Sequence, residues 1–185
     1  MTNRISREEL AKEIYFTSYV KGIFKLRSGK VSNEYLDKYM FESNPRILSA
    51  IADHLCQIIP KETQILAGLE LGGIPLATVL SLQTGLPTVF VRKKAKEYGT
   101  AKIVEGVEIK AKRLCIIEDV VTTGGQIIDS AKDLRNLGAT VSDVVCVIVR
   151  ENSAFQNLAD EDLRLRALFN MEQVLATEKQ QRSIR

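Results

Sequence analysis

The 185-residue sequence predicts an α/β fold with a central, mostly parallel sheet flanked by helices. Short and nearly continuous apolar runs at residues 65–69, 88–91, 114–117 and 141–149 have the length and composition of strands that are buried on both faces. Stretches with helical periodicity separate these runs. Alternation of strands and helices is typical of a parallel sheet that is covered by helices.

The N-terminal part, residues 1–43, predicts a helix followed by a hairpin. Ser6 and Glu9 fit a capping box, so we expect a helix over residues 6–20 that ends at Gly22. Two short extended runs on either side of a Ser-Gly turn, at residues 28–30, then predict a β-hairpin.

Caps and turn residues predict the remaining elements. Asn44 and Pro45 begin a helix that we expect to reach about Ile59, because asparagine is a favoured cap and proline a favoured first residue. Residues 163–169 alternate in polarity like a half-exposed edge strand. Further helices are expected over residues 73–84, 125–137 and 172–181.

The chain is predicted to be one domain over residues 1–185, with its core at residues 61–151. Residues 92–113 lack convincing periodicity, and a stretch of that length in a compact domain is usually a lid or a binding loop. The net charge of +3 is uneven, since eight basic and three acidic residues give this stretch +5 and leave −2 for the remainder. The positive charge is therefore local.

Composition excludes several classes of protein. With 45% apolar and 26% charged residues, the chain is expected to be globular rather than disordered. No apolar run approaches the ~18 residues of a membrane span, and the charged N-terminus does not resemble a signal peptide. The three cysteines are widely spaced, so neither a zinc site nor a disulfide framework is expected. We expect a cytoplasmic protein.

The segment around residues 115–126 carries the clearest chemical signal. An apolar strand is expected to end in two acids, and a turn rich in threonine and glycine then opens a helix. Free N–H groups at such a helix start suit a phosphate, and the acids suit sugar hydroxyls or the waters of Mg²⁺. This pattern predicts a sugar-phosphate site, the alternative being a strand-to-helix turn with a polar cap. The candidate residues are Glu118, Asp119, Val120, Val121, Thr122, Thr123, Gly124, Gly125 and Gln126.

Four segments carry a resemblance to a known family. Residues 115–126 resemble the phosphoribosyl pyrophosphate (PRPP) motif of type I phosphoribosyltransferases. Residues 92–100 resemble the catalytic loop of the orotate phosphoribosyltransferases, and residues 24–37 resemble their substrate hairpin. Residues 147–151 resemble the strand end that bears their orotate-binding arginine. The resemblance extends over residues 6–151.

This resemblance implies a type I phosphoribosyltransferase-like fold with a small N-terminal hood and a long mobile loop. It implies transfer of the phosphoribosyl group of PRPP to orotate in pyrimidine biosynthesis. It also implies Mg²⁺ held through PRPP and water near Glu118 and Asp119, without direct protein ligands. The implied assembly is a homodimer whose catalytic loop is shared between subunits. The implied catalytic residues are Arg92, Lys93, Lys96 and Asp119.

The remaining implied contacts come from several segments. PRPP would contact residues 118–126, the turn residues Leu71 and Gly72, and the loop residues Arg92, Lys93, Lys96 and Tyr98. Orotate would contact Arg27, Tyr35, Thr122 and Arg150. On residue type alone, a surface cation explains Arg27 equally well, and a salt bridge at a sheet edge explains Arg150 equally well.

Three positions depart from the common family pattern. Gly72 stands where many members have lysine, Arg27 replaces a commoner lysine, and Tyr98 replaces a commoner histidine. Two other functions therefore stay open, namely the same chemistry on a purine or uracil and a regulator that senses PRPP without catalysis. A solvated charged loop is the plain alternative for the basic stretch. Neither a nucleic acid nor a membrane is expected as a partner.

Overall fold

The structure is a computed structural model that describes residues 5–25, 29, 31–94 and 102–182. The helices are α1 Arg7–Ser18, α2 Lys38–Glu42, α3 Pro45–Leu55, α4 Gly73–Thr84, α5 Gly125–Asn136, α6 Ser153–Ala159 and α7 Met171–Arg182. The strands are β1 Tyr19–Lys25, β2 Val31–Leu36, β3 Ile65–Leu69, β4 Thr88–Val91, β5 Val104–Gly106, β6 Arg113–Val121, β7 Thr140–Val149 and β8 Arg164–Asn170. In these ranges, no helix is long and apolar enough to cross a membrane.

The predicted α/β fold is confirmed. The main sheet has six strands in the order β5-β4-β3-β6-β7-β8, and five of them are parallel, with β5 antiparallel to β4. The expected edge strand is β8, which pairs with β7 alone. The expected hairpin is also present, because β1 and β2 form a separate antiparallel pair.

Apolar side chains of neighbouring strand residues point to opposite faces of the sheet, as the strand period requires. On one face, Leu66 belongs to a core that includes residues of α1, α3, α4 and α7. On the other face, Ala67 belongs to a core that includes residues of α5 and α6. Both faces are therefore buried, which explains why the strands are apolar without alternation.

Helix α1 follows its predicted start but not its predicted end. The side chain of Ser6 accepts from the backbone N–H of Glu9, and Glu9 accepts from the N–H of Ser6, so the capping box is confirmed. The expectation that the helix ends at Gly22 is wrong, since β1 begins at Tyr19 and includes Gly22. Pairing of β1 with β2 sets the end of the helix. A helical pattern in the sequence does not show where such pairing begins.

Strand β6 differs from its prediction in a way that matters for the site. We expected the strand to end in Glu118 and Asp119, but it continues to Val121. The ladder with β7 extends that far, because Glu118 pairs with Cys146 and Val121 pairs with Val149. Both acids therefore lie inside the sheet rather than in a turn after it.

Three short elements were not predicted, namely α2, α6 and β5. Strand β5 lies within residues 92–113, so part of that stretch is sheet rather than loop. Helix α3 ends at Leu55, earlier than the expected Ile59, and the chain leaves it through turns. Elements this short bury little apolar surface of their own, so they leave only a weak periodic pattern in the sequence.

Candidate active site

The candidate site lies at the carboxyl ends of β3 and β6. These two strands are parallel neighbours in the centre of the sheet. After β3 the chain goes through α4 to β4 on one side, and after β6 it goes through α5 to β7 on the other. A crevice opens where successive connections diverge in this way, and open α/β sheets bind ligands there.

The turn after β6 presents backbone N–H groups to this crevice. Gly124 has a left-handed backbone (φ 89°), and no side chain caps the start of α5. Thr122 and Thr123 are exposed on the same turn. A cleft is lined here by Glu118 and by residues 120–127. Uncapped N–H groups at a helix start favour an anion, so the turn is suited to a phosphate group.

The turn after β3, at residues 70–73, lies beside the turn after β6. The side-chain amide of Gln126 donates to the carbonyl of Glu70 over 3.3 Å, which joins the two turns. Leu71 is exposed, whereas Gly72 is buried. The structure therefore brings the predicted residues Leu71 and Gly72 next to the predicted segment 118–126.

Gly72 has no room for a side chain. A Cβ atom at this position would overlap the carboxylate of Asp119 and would lie 2.9 Å from Oε1 of Glu42. The absence of a lysine at position 72 thus has a local physical reason, because carboxyl groups occupy the space that any side chain would need.

Asp119 is completely buried and belongs to a cluster of ionisable side chains with Lys38, Glu42 and Glu118. Its Oδ2 atom lies 2.5 Å from Nζ of Lys38, and its Oδ1 atom accepts from the N–H of Val120 over 2.5 Å. Burial opposes ionisation of Asp119. Hydrogen bonds with Glu118 and Glu42 and the charge of Lys38 outweigh it, so the pKa of Asp119 is lowered. Asp119 is therefore the ionised member of the cluster.

The two neighbouring acids behave in the opposite way. Burial, with a hydrogen bond to Asp119 and repulsion from it, raises the pKa of Glu42 to about 9. Burial and the charge of Asp119 also raise the pKa of Glu118 well above its ordinary value. Neighbouring carboxyl groups cannot all ionise at low cost, so Glu42 and Glu118 hold their protons to higher pH than Asp119 does.

The basic residues Arg92 and Lys93 follow β4, whose carboxyl end lies at the same edge of the sheet. The N–H of Arg92 donates to the carbonyl of Ile103 over 2.9 Å, and Lys93 is exposed. The structure therefore places both residues at the edge of the sheet that carries the cluster. The predicted residues Lys96, Tyr98 and Arg27 lie outside the described residues.

The predicted orotate contacts are placed separately. Arg150 follows β7 and is exposed, and its N–H donates to the carbonyl of Val121 over 2.8 Å, which fixes it beside the turn after β6. Tyr35 lies on β2, where its ring stacks on Phe24 with centroids 5.4 Å apart. No contact links Tyr35 to Arg150, so their joint role stays a prediction.

Lys38 and Glu42 were missed by the sequence interpretation. Both lie on α2, one helical turn apart, and both reach Asp119 from the segment that follows the hairpin. The spacing of a lysine and a glutamate on one helix face was visible in the sequence. The same spacing is common on solvated helix surfaces, so it gave no sign of burial.

A metal site built from side chains is not present in the part of the chain that the structure describes. No group of three or more His, Cys, Asp or Glu side chains there could hold a metal ion. Asp119 is already paired with Lys38, whereas Glu118 faces the cleft.

Comparison with known proteins agrees with this geometry. The family described as "Phosphoribosyl transferase domain" matches residues 39–163. The orotate phosphoribosyltransferase of a Nocardioides species is 46% identical over 157 residues, covering 85% of this chain and 88% of the relative.

Two solved structures show the same fold. Orotate phosphoribosyltransferase from Aeropyrum pernix matches with a TM-score of 0.82 at 29% identity, covering 92% of this chain and 98% of that chain. The Mycobacterium tuberculosis H37Rv enzyme of that name, in complex with PRPP, matches with a TM-score of 0.77 at 26% identity, covering 91% and 98%. The phosphoribosyltransferase fold implied by the sequence is confirmed, and the chain belongs to the orotate phosphoribosyltransferases within the phosphoribosyltransferase family.

Proposed function

We propose that this protein transfers the 5-phosphoribosyl group of PRPP to orotate. A bond forms between the ring nitrogen of orotate and C1 of the ribose, and that nitrogen gives up its proton to solvent. The bond from C1 to the pyrophosphate oxygen breaks, and the bonding electrons leave with pyrophosphate. The products are orotidine 5′-monophosphate and pyrophosphate. The observation that carries the proposal is the uncapped turn after β6, a central strand that carries the cleft-lining Glu118 and the buried Asp119 near its carboxyl end.

The turn after β6 would hold the 5-phosphate of PRPP. Exposed Thr122 and Thr123 can donate through their hydroxyls, and the N–H groups that begin α5 point to the same space. Glu118 lines the same cleft and can contact the ribose hydroxyls. The ribose would then lie between the phosphate turn and the turn at residues 70–73.

The basic loop would act on the leaving group. Pyrophosphate gains negative charge as the bond to C1 breaks, and cations that are already in place stabilise this charge. Arg92 and Lys93 stand at the base of the loop, and Lys96 follows in the sequence. A closed loop also excludes water, which would otherwise hydrolyse the activated ribose.

We propose that Mg²⁺ takes part through PRPP and water rather than through direct protein ligands. The metal ion would neutralise charge on the pyrophosphate. Glu118 would accept hydrogen bonds from its water ligands, because this acid faces the cleft. Asp119 is less suited to metal contact, because Lys38 already pairs with it.

Orotate would be recognised by cations and by the N-terminal hairpin. The carboxylate and ring carbonyls of orotate suit bidentate pairing with guanidinium groups, which Arg150 and Arg27 would supply. Tyr35 and Thr122 would add contacts to the ring. We further propose a homodimer that shares the catalytic loop between subunits, and a cytoplasmic location.

The base that the protein accepts distinguishes the proposed function from the two alternatives, namely transfer to another base and PRPP sensing without catalysis. The protein is mixed with PRPP and Mg²⁺, and orotate, uracil, adenine and hypoxanthine are offered in turn while pyrophosphate release is followed. We expect release with orotate alone. Release with another base instead of orotate would replace the proposed substrate. Binding of PRPP without turnover of any base would favour a regulator.

The role of the loop is tested by substitution of Lys96. Lys96→Ala is expected to lower kcat about 100-fold, because it removes a charge-stabilising donor, while the affinity for PRPP changes little. Lys94→Ala is the matched control, since Lys94 is a lysine of the same run without a proposed role. Equal losses of affinity and kcat in Lys96→Ala would reduce Lys96 to a binding cation.

A further inference from the structure

Lys38 is the one cation that contacts the buried acids of the site within the described residues. Its Nζ atom lies 2.5 Å from Oδ2 of Asp119, and just over a quarter of its side chain stays exposed. Asp119 itself has no exposed surface. Lys38 therefore lies between the buried carboxylate and the solvent at the edge of the sheet.

The segment that carries Lys38 is fixed in place by its own contacts. Asp37 caps α2 by accepting from the N–H of Tyr39, and the N–H of Asp37 donates to the carbonyl of Ser18 over 2.8 Å. Phe41 on the same short helix is completely buried. These contacts hold Lys38 in position and lower the entropy lost when its side chain pairs with Asp119.

The space around this pair is closed by groups from three elements. Glu42 of α2 lies beside the Asp119 carboxylate, since its Oε1 atom and that carboxylate crowd the same point next to Gly72, and Glu118 directly precedes Asp119 on β6. Gly72 closes the third side, where no Cβ atom would fit. A carboxylate in such a space has a single orientation, and that orientation depends on the cation that neutralises it.

We propose that Lys38 is a positioning residue for PRPP binding. It holds the Asp119 carboxylate in a fixed orientation against the turn at residues 70–73. The ribose and pyrophosphate of PRPP then bind between this turn and the turn after β6, where the contacting groups are already in position. This inference rests on the proposed function, because it assumes that PRPP binds in the crevice. It adds a residue of the N-terminal segment to a site that otherwise comes from the sheet.

Substitution of Lys38 tests the proposal through direct binding. Calorimetric titration with PRPP and Mg²⁺ is expected to show about 10- to 100-fold weaker binding for Lys38→Met than for the wild type, the range for loss of one charge-assisted hydrogen bond. Lys38→Arg keeps the charge and is expected to recover part of this loss. Lys132→Met is the control, because Lys132 also forms an ion pair, with Glu161, but on the surface of α5.

Steady-state kinetics separates positioning from a general loss of structure. We expect Lys38→Met to raise the KM for PRPP while the KM for orotate stays within about twofold, whereas a partly unfolded protein would lose active fraction without this selectivity. Binding of PRPP to Lys38→Met as tight as to the wild type would overturn the proposal, as would equal increases in both KM values. If Lys38→Met does not fold, Lys38→Arg carries the test through the same two KM values. A KM for PRPP that is raised more than the KM for orotate supports the proposal, and equal changes in both overturn it.

The same experiments distinguish this proposal from the proposed function. A wild type that binds PRPP but does not use orotate would remove the proposed substrate, and weaker PRPP binding by Lys38→Met would still support the role of Lys38. A wild type that does not bind PRPP at all would overturn both.

Discussion

Gly68 of β3 packs against Ala77 of α4 so closely that a Cβ atom on Gly68 would lie 2.8 Å from the Cβ of Ala77. The same atom would lie 2.8 Å from the carbonyl oxygen of Gly73, which is backbone and cannot move aside. This contact sets how near the helix approaches the strand, and it places the start of α4 beside the candidate site.

Gly68→Ala is therefore expected to destabilise the protein by about 1–3 kcal/mol, the usual cost of forcing extra volume into a packed core. Urea unfolding followed by circular dichroism measures this change. Gly125→Ala is the matched control, since a Cβ atom there meets nothing within 4 Å, and it should keep or slightly raise stability. A Gly68→Ala protein as stable as the wild type would contradict the close approach of β3 and α4.

The buried Asp143 joins the last two strands of the sheet through ion pairs with two partly exposed arginines. Its Oδ1 atom lies 2.5 Å from Nη1 of Arg166 on β8, and Arg164 lies 3.4 Å away. Burial raises the pKa of Asp143, but hydrogen bonds from Arg166 and Ser142 and the charges of both arginines outweigh it and lower the pKa.

Asp143→Asn is expected to lower the free energy of unfolding by about 1.5–3 kcal/mol at neutral pH, because it removes a hydrogen-bonded charge. The carboxylate contributes stability above its unfolded pKa, and this contribution is lost as the pH falls through the lowered folded pKa. The wild type and the variant should therefore converge in acid. A difference in urea midpoint that stays constant down to acid pH would contradict the ion pair.

Glu42 makes the opposite contribution to pH dependence, because its pKa is raised to about 9 in the folded protein. A raised carboxyl pKa means that the folded state holds a proton that the unfolded state releases. Stability is therefore fully present below the ordinary glutamate pKa and is lost as the pH rises through the raised value.

Glu42→Gln is expected to remove this loss, because glutamine has the shape of the protonated acid and does not ionise. Urea unfolding from about pH 5 to about pH 9 should show a shallower decline for the variant than for the wild type. Glu62→Gln serves as the control, since Glu62 is exposed. Parallel declines in Glu42→Gln and the wild type would show that Glu42 is ionised in the folded protein.

The three cysteines differ in access to solvent, and none forms a disulfide. Burial raises the pKa of the Cys115 thiol to about 12 and raises that of Cys146 further. Cys56 is only partly buried, and its Sγ lies 3.3 Å from Oε1 of Gln83. Because the thiolate is the reactive form, the sheet cysteines should be inert in the folded protein.

A thiol reagent such as DTNB is therefore expected to modify one cysteine in the native protein and all three in urea. Cys56→Ser should abolish the native reaction and leave two thiols that react after unfolding. Rapid modification of two or more thiols in the native protein would mean that the sheet opens at Cys115 or Cys146.

The sequence predicted the framework of the site because the framework is local. The apolar runs of the central strands, the capping box at Ser6 and the start of α3 at Asn44 each depend on residues that are near in the chain. The segment 118–126 was found for the same reason, since strand, acids and turn follow one another directly.

The features that the sequence did not predict depend on contacts between residues that are distant in the chain. Strand β6 runs through Glu118 and Asp119 because β7 pairs with it there, and the sequence had suggested that acids end a buried strand. Lys38 and Glu42 reach Asp119 from a helix too short to give a periodic signal. Gly72 was noted as a departure, but its cause, the Asp119 carboxylate beside it, is visible only in three dimensions.

The order of the strands also has a consequence for how the protein folds. Strands β6, β7 and β8 are consecutive in the chain and neighbours in the sheet, so they pair after short loop closures. β3 joins β6 only after the long intervening stretch has closed, which is entropically slower. We therefore expect the pairing of β6 with β7 to form before the contact of Lys38 with Asp119, which needs the N-terminal segment.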